Sequence, residues 1–247
     1  MRYDGPELSV FSKKTGYLCF FKQIILLLMS SCSIYCYLCP QFRIGFFIFN
    51  YRSMTPIGIF DSGFGGLSIF REIQHLLPQY DYVFLGDNAR APYGDRSFQE
   101  VFDFTHQAVC RLFDMGCPLV ILACNTASAK ALRNIQQNEL PKMSDPSRRV
   151  LGVIRPTVER VANLTYSGHI GLVATRATVS SQSYDMEIMH NLNQHLSGQQ
   201  HVGNMGGSLK PIHLTSRACP NWVPLIESGM LHSDALHQEV KADLSAL

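Results

Sequence analysis

YVFLGDNARAPYGDRSFQEVFDFTHQAVCRLFDMGCPLVILAC, residues 82–124, reads as strand, loop, helix, strand. The apolar run 82–85 stops at Gly86, and a polar stretch marked by Pro92 and Gly94 follows it. Ser97 with Glu100 three residues on makes a capping box, in which each residue serves an otherwise unpaired group of the other at a helix start. Val101, Phe104, Ala108, Leu112 and Met115 then recur at helical spacing until Gly116 ends the run. A second apolar run, 119–123, comes directly after. Two short apolar strands joined through an amphipathic helix make a crossover unit, and such units build parallel sheet.

The same alternation extends in both directions. Strands are predicted at 57–60, 82–85, 119–123, 151–154, 170–174 and 211–214, with helical segments between them. The expected fold class is α/β, with two doubly wound, Rossmann-like parallel-sheet units and a site in the cleft between them. Residues 142–149 hold Pro146, Ser144, Ser147 and three basic residues, which suits a surface connection. The units are therefore expected at 54–149 and 150–247. The stretch 195–207, rich in Gly and Gln, is read as an exposed loop.

Residues 1–53 differ from the rest, being rich in Phe, Leu, Ile, Tyr and Cys. Residues 23–42 carry no charge, near the length of a spanning helix, but Ser30, Ser31, Ser33 and Pro40 dilute the run and no A-x-A cleavage site follows. Met54 opens a strand with nothing needed before it, and a start there is the favoured reading. Cys32, Cys36 and Cys39 have the C-x3-C-x2-C spacing that resembles the cluster triplet of radical SAM enzymes. Lying in an apolar stretch, with nothing barrel-like downstream, they are read as chance spacing.

The chain of 247 residues is 46% hydrophobic with a formal net charge of +2. That balance gives no field for nucleic acid or anionic lipid, and a small ligand is expected instead. The eight cysteines show no disulfide framework in the body of the chain, and no His spacing suits a metal. Cys110 and Cys117 are expected to pack as small hydrophobes.

Ligands of open parallel sheets collect where strands end, so the residues after each strand are the ones to inspect. Asp61-Ser62-Gly63-Phe64-Gly65-Gly66 follows the first strand and could turn backbone N–H groups toward an anion, although it matches neither a Walker nor a dinucleotide spacing. Gly86 to Gly94 forms a second polar loop. Cys124-Asn125-Thr126 follows a buried strand and opens a helix, where the helix dipole would lower the thiol's pKa. Asp61 and Cys124 could meet across one crevice, and Asn125 and Thr126 could hold a carboxylate.

Four segments in order, Ile59 to Leu67, Gly86 to Gly94, Ala123 to Ser128 and Ala218 to Glu227, resemble successive signatures of bacterial glutamate racemases. The resemblance covers about residues 56–229. It implies interconversion of L- and D-glutamate for peptidoglycan, with two cysteines on opposite faces of the α-carbon and neither pyridoxal phosphate nor metal. By it Cys124 is one acid/base, Asp61 and Ser62 contact the ammonium group, and Asp61 tunes Cys124. Tyr93 and Gly94 line the pocket, Asn125 and Thr126 hold a carboxylate, and Thr175 and Thr178 are further pocket candidates. The implied setting is cytoplasmic, with glutamate as ligand, no membrane or nucleic acid, and a homodimer as the assembly to look for. The family continues beyond the region of Gly229 to a Gly-Cys-Thr-His segment with its second cysteine, which this sequence lacks, so the chain is expected to be a truncated form. Cys219 belongs to a separate family motif and is not expected to replace that cysteine. A binding protein without racemisation, or another cysteine-dependent racemase or decarboxylase, stays open.

Overall fold

The computed structural model describes residues 34–39, 44–49, 55–162, 164–198 and 212–247. A six-stranded sheet is built from β1 (Ile34–Cys39), β2 (Ile44–Phe49), β3 (Ile57–Asp61), β4 (Tyr82–Gly86), β5 (Leu119–Leu122) and β6 (Arg149–Gly152), in the order β1-β2-β4-β3-β5-β6. The last four in that order run parallel, while β1 and β2 pair antiparallel and β2 lies antiparallel on β4. The backbones of 34–39 and 44–49 thus lengthen the sheet ahead of the strand that follows Met54. Cys32 and most of the apolar leader lie outside the described residues.

Alternate residues of β3 reach opposite faces of the sheet, as the pleat requires. Ile57 and Ile59 pack with Phe70, Tyr82 and Phe84 under α1 (Gly66–Leu76). Phe60 and Leu85 pack with Val101, Ala108, Leu112 and Val120 under α2 (Phe98–Asp114). Burial on both faces explains the unbroken apolar runs of β3 and β4. The predicted capping box is present, with Ser97 Oγ accepting from Glu100 N at 3.2 Å and Ser97 N donating to Glu100 Oε2 at 3.0 Å. Gly116 closes α2 at φ +84°, a conformation open to glycine without strain.

After β5 the chain forms α3 (Asn125–Lys130) and irregular helical turns to Lys142. Past β6 come α4 (Ile154–Ala162), β7 (His169–Ala174), α5 (Arg176–Ser180), α6 (Ser183–Gly198), β8 (His213–Ala218), α7 (Trp222–Glu227) and α8 (Asp234–Ser245). β7 and β8 form a parallel pair, with His169 opposite His213 and Ala174 opposite Ala218. Its apolar side meets α4 and α6 through Val158, Ile188 and Leu214, around a cavity of about 120 Å³.

Several bounds move from expectation. The strand predicted at 151–154 runs Arg149–Gly152, so it crosses the boundary expected at 149/150 and completes the first sheet. Ile154 instead opens α4. The strand predicted at 211–214 runs His213–Ala218, because pairing with β7 carries it past the apolar stretch. Residues 195–198 are the last turn of α6 and not loop, while 199–207 lie outside the described residues.

Candidate active site

The parallel strands of the first sheet end together, and their ends place Asp61, Asp87 and Cys124 in one neighbourhood. Asp87 N donates to Asp61 O at 3.0 Å, and Ala123 N donates to Phe60 O at 2.8 Å, which ties β4 and β5 to β3 at that level. Asp61 is buried and its Oδ2 accepts from Gly63 N at 3.1 Å and Gly66 N at 3.0 Å. Gly66 is required by this contact: a Cβ there would lie 2.6 Å from Asp61 Cβ and 3.0 Å from Ala123 Cβ.

Cys124 caps α3, with Sγ taking the Ala127 N–H at 3.4 Å and lying 3.2 Å from Ser62 Oγ. The thiol is 7% exposed. Burial pushes it up from 9.0 to about 11, the charge of Asp61 adds to the rise, and the bonds from Ser62 and Ala127 only partly oppose it. The expected lowering by the helix start is therefore corrected, since desolvation and a neighbouring carboxylate outweigh one short helix's N–H groups. Asp61 is likewise pushed up by burial, against the bonds it receives from Gly66, Gly63 and Ser62 and from Cys124. A thiol so raised gives a strong base as thiolate, and at neutral pH it is mainly a proton donor.

Thr126 Oγ1 lies 3.0 Å from Thr175 Oγ1 and 3.4 Å from Thr178 Oγ1, and the last two are 3.0 Å apart. Three hydroxyls from α3 and the start of α5 thus converge at Thr126, which follows Cys124 by two residues in the chain. Gly94 joins the same contact, its carbonyl accepting from Ala177 N at 2.9 Å and a Cβ at 94 falling 3.0 Å from Thr175 Cγ2. Asn125 is exposed and its Oδ1 accepts from Tyr184 Oη at 2.8 Å. Tyr93 is buried, with its hydroxyl given to Asp87 Oδ2 at 2.5 Å. A narrow crevice of about 10 Å³ between Gly94, Thr175 and Pro220 opens beside this cluster.

The structure brings together Asp61 with Ser62 and Cys124, and Gly94 with Thr126, Thr175 and Thr178. Sequence reasoning missed two carboxylates. Asp87 is wholly buried under the second loop, where only its place after a strand end could have signalled it. Glu227 ends α7, and a Cβ at Gly63 would lie 2.8 Å from its Oε1. Burial, then the charge of Asp61, pushes the Glu227 carboxyl up. Its signal was the close of the fourth motif, to which no role had been attached. Cys117, Cys110 and Cys219 have different partners. Cys117 lies against Gly58, Cys110 Sγ is 3.5 Å from His106 Nε2, and Cys219 Sγ reaches Arg217 O at 3.7 Å. A concavity of about 550 Å³ between α7 and α8 is lined by residues such as Leu225 and Gln238 and does not include the thiol.

A glutamate racemase from Roseobacter denitrificans is 44% identical over 202 residues, covering 77% of this chain and 66% of that protein. Among solved structures, glutamate racemase isoform RacE1 from Bacillus anthracis aligns with a TM-score of 0.64 at 31% identity, over 78% of this chain and 63% of that one. Glutamate racemase from Francisella tularensis, solved in complex with D-glutamate, aligns with a TM-score of 0.64 at 32% identity over the same shares. The chain spans less than two thirds of the length of each of these three relatives. No protein-family model matches it.

Proposed function

From the chain's membership of the glutamate racemase family, we propose that it moves the α-proton of glutamate through Cys124 without an organic cofactor. The observation that carries this reading is the Cys124 thiol at the sheet's ligand-binding end, 3.2 Å from Ser62 Oγ and coupled to Asp61. Asp61 and Ser62 face the substrate ammonium group. Thr126, Thr175 and Thr178, with Asn125, present hydroxyl and amide groups to a carboxylate, and Tyr93 and Gly94 form the wall. The first sheet unit, through β6, and the unit that follows it serve as the two sides of the pocket, meeting through Thr126 with Thr175 and Gly94 with Ala177.

Cys124 serves one face of the α-carbon. As thiolate it takes the proton and leaves a carbanion that the ammonium and carboxylate contacts stabilise, and as thiol it returns one. Incubation of L-glutamate and D-glutamate separately in D₂O, with the α-proton followed by NMR, tests the reading. Exchange with at least one enantiomer that is lost in Cys124→Ala is the expected result. No exchange with either, in folded protein, overturns it. Exchange with inversion means racemisation, whereas retention means one-face exchange.

The associated setting is supply of D-glutamate for peptidoglycan in the cytoplasm, with glutamate as the ligand and a homodimer as the assembly. No helix among the described residues is long and apolar enough to cross a membrane. Fractionation of cells and sedimentation of the purified chain test these two points.

A further inference from the structure

We propose that Asp87 is a positioning residue for this pocket, acting through Tyr93 and Gly94 on the hydroxyl cluster of Thr126, Thr175 and Thr178. The inference rests on the reading that the pocket binds glutamate. Asp87 is 0% exposed and its Oδ2 accepts from both Tyr93 Oη and Arg90 Nε, each at 2.5 Å. Its Oδ1 has no hydrogen-bond partner among the described residues. The loop from 87 to 96 is knitted around this carboxylate. Arg90 donates Nη1 to Gln107 Oε1 at 2.9 Å and lies 4.1 Å from the Phe104 ring centroid, and Arg96 donates Nε and Nη2 to the Arg90 carbonyl at 2.9 and 2.7 Å.

The loop's far end touches the pocket. Tyr93 is followed by Gly94, whose carbonyl takes the Ala177 N–H and where an added Cβ would lie 3.0 Å from Thr175 Cγ2. Thr175 caps α5 and contacts both Thr126 and Thr178. At the near end, the Asp87 N–H holds the carbonyl of Asp61. One continuous path of bonds and close contacts therefore runs from the Asp61 peptide through Asp87, Tyr93 and Gly94 to the three threonines. A change at Asp87 moves one side of the pocket relative to the other.

Stability alone accounts poorly for these residues. A buried carboxylate with one oxygen unpaired loses hydration that its partners do not fully restore, and apolar side chains of similar volume usually serve a core as well or better. What the carboxylate adds is direction: a short bond from a phenol fixes a ring that dispersion alone would leave free to slide. Burial, and then the bond to Asp87, push the Tyr93 hydroxyl upward, so it remains a proton donor at neutral pH.

The test uses the full chain as Tyr93→Phe and Asp87→Asn, with two readouts. The first is KM against kcat for α-proton exchange of glutamate in D₂O. The second is the set of methyl NMR resonances of Thr126, Thr175 and Thr178. Loss of a bond to a charged group in Tyr93→Phe is expected to raise KM about tenfold with kcat changed much less, and to move the Thr175 and Thr178 methyl resonances. Asp87→Asn keeps an oxygen that accepts from Tyr93 and is expected to leave both readouts much closer to wild type than Tyr93→Phe does. Unmoved threonine methyls in folded Tyr93→Phe, or a loss confined to kcat, overturns the inference. If the wild-type chain exchanges no glutamate, the functional reading fails, and the methyl resonances still decide whether the strut exists. If Asp87→Asn does not fold, Tyr93→Phe alone decides.

Discussion

Cys124 and Cys219 occupy equivalent places in two different sheets. Each lies just past a parallel strand, β5 or β8, and each is buried and pushed up to about 11, chiefly by burial. Their surroundings separate them. Cys124 caps α3, touches the Ser62 hydroxyl and lies two residues before Thr126, whose hydroxyl joins those of Thr175 and Thr178. Cys219 is followed by Pro220, reaches the Arg217 carbonyl, and bonds to Asp243, which Arg217 Nε holds at 2.9 Å. Strand-end position and thiol basicity are thus shared by a proposed proton carrier and a packing residue. The groups that could hold a substrate beside the sulfur are what distinguish them.

The largest expected effect tests that contrast directly. Cys124→Ala should lower glutamate α-proton exchange by about 10²- to 10⁴-fold, the usual worth of a positioned acid/base. Cys219→Ala should leave the exchange rate near wild type and cost about 1 kcal/mol in denaturant unfolding. Equal losses of exchange in the two variants would erase the distinction.

Next comes Gly66→Ala, which forces a methyl to 2.6 Å from Asp61 Cβ. Overpacking of this kind costs about 1–3 kcal/mol. Because the displaced group is Asp61, exchange should fall as well as thermal stability. A variant with lower stability and intact exchange would show that the Asp61 cradle is only structural.

Ser62→Ala has a smaller effect with a diagnostic sign. The Ser62 bond favours the Cys124 thiolate, so its loss should raise the thiol further and move the alkaline limb of the exchange profile to higher pH. The rate at neutral pH should drop about tenfold. The equivalent limb has no meaning for Cys219, but both thiols bear on stability. Each holds its proton more tightly folded, at about 11, than at the ordinary 9.0, so its contribution is whole below about pH 9 and disappears as pH rises through 11. Unfolding titrations of wild type and Cys219→Ala over that window should differ, with the variant less sensitive to alkali. The smallest effect is expected from Tyr184→Phe, which frees exposed Asn125 and should raise KM about threefold without moving the pH profile.

Much of the first sheet was legible in the sequence because its signals are local. The apolar runs of β3, β4 and β5, the Ser97–Glu100 box and the Gly116 stop each depend on residues a few positions apart, and each is in the structure where expected within a residue or two. The second half was read less well. β8 runs through Thr215, Ser216 and Arg217, residues with little apolar signal, because β7 supplies its hydrogen bonds. The backbone of 44–49 pairs onto β4 by long-range contact that no local pattern announced.

The sequence by itself determined the α/β alternation, the placing of Cys124 after a strand and before a helix, and the resemblance of four ordered segments to one family. These are properties of order and spacing along the chain. Only the tertiary structure decided the thiol's basicity, the hydroxyl cluster from Thr126 to Thr178, the hidden carboxylate of Asp87 and the approach of Glu227 to Gly63. The physical reason is that desolvation and charge act through space. Residues 61 and 124, or 87 and 93, alter one another only once folding has removed the water between them.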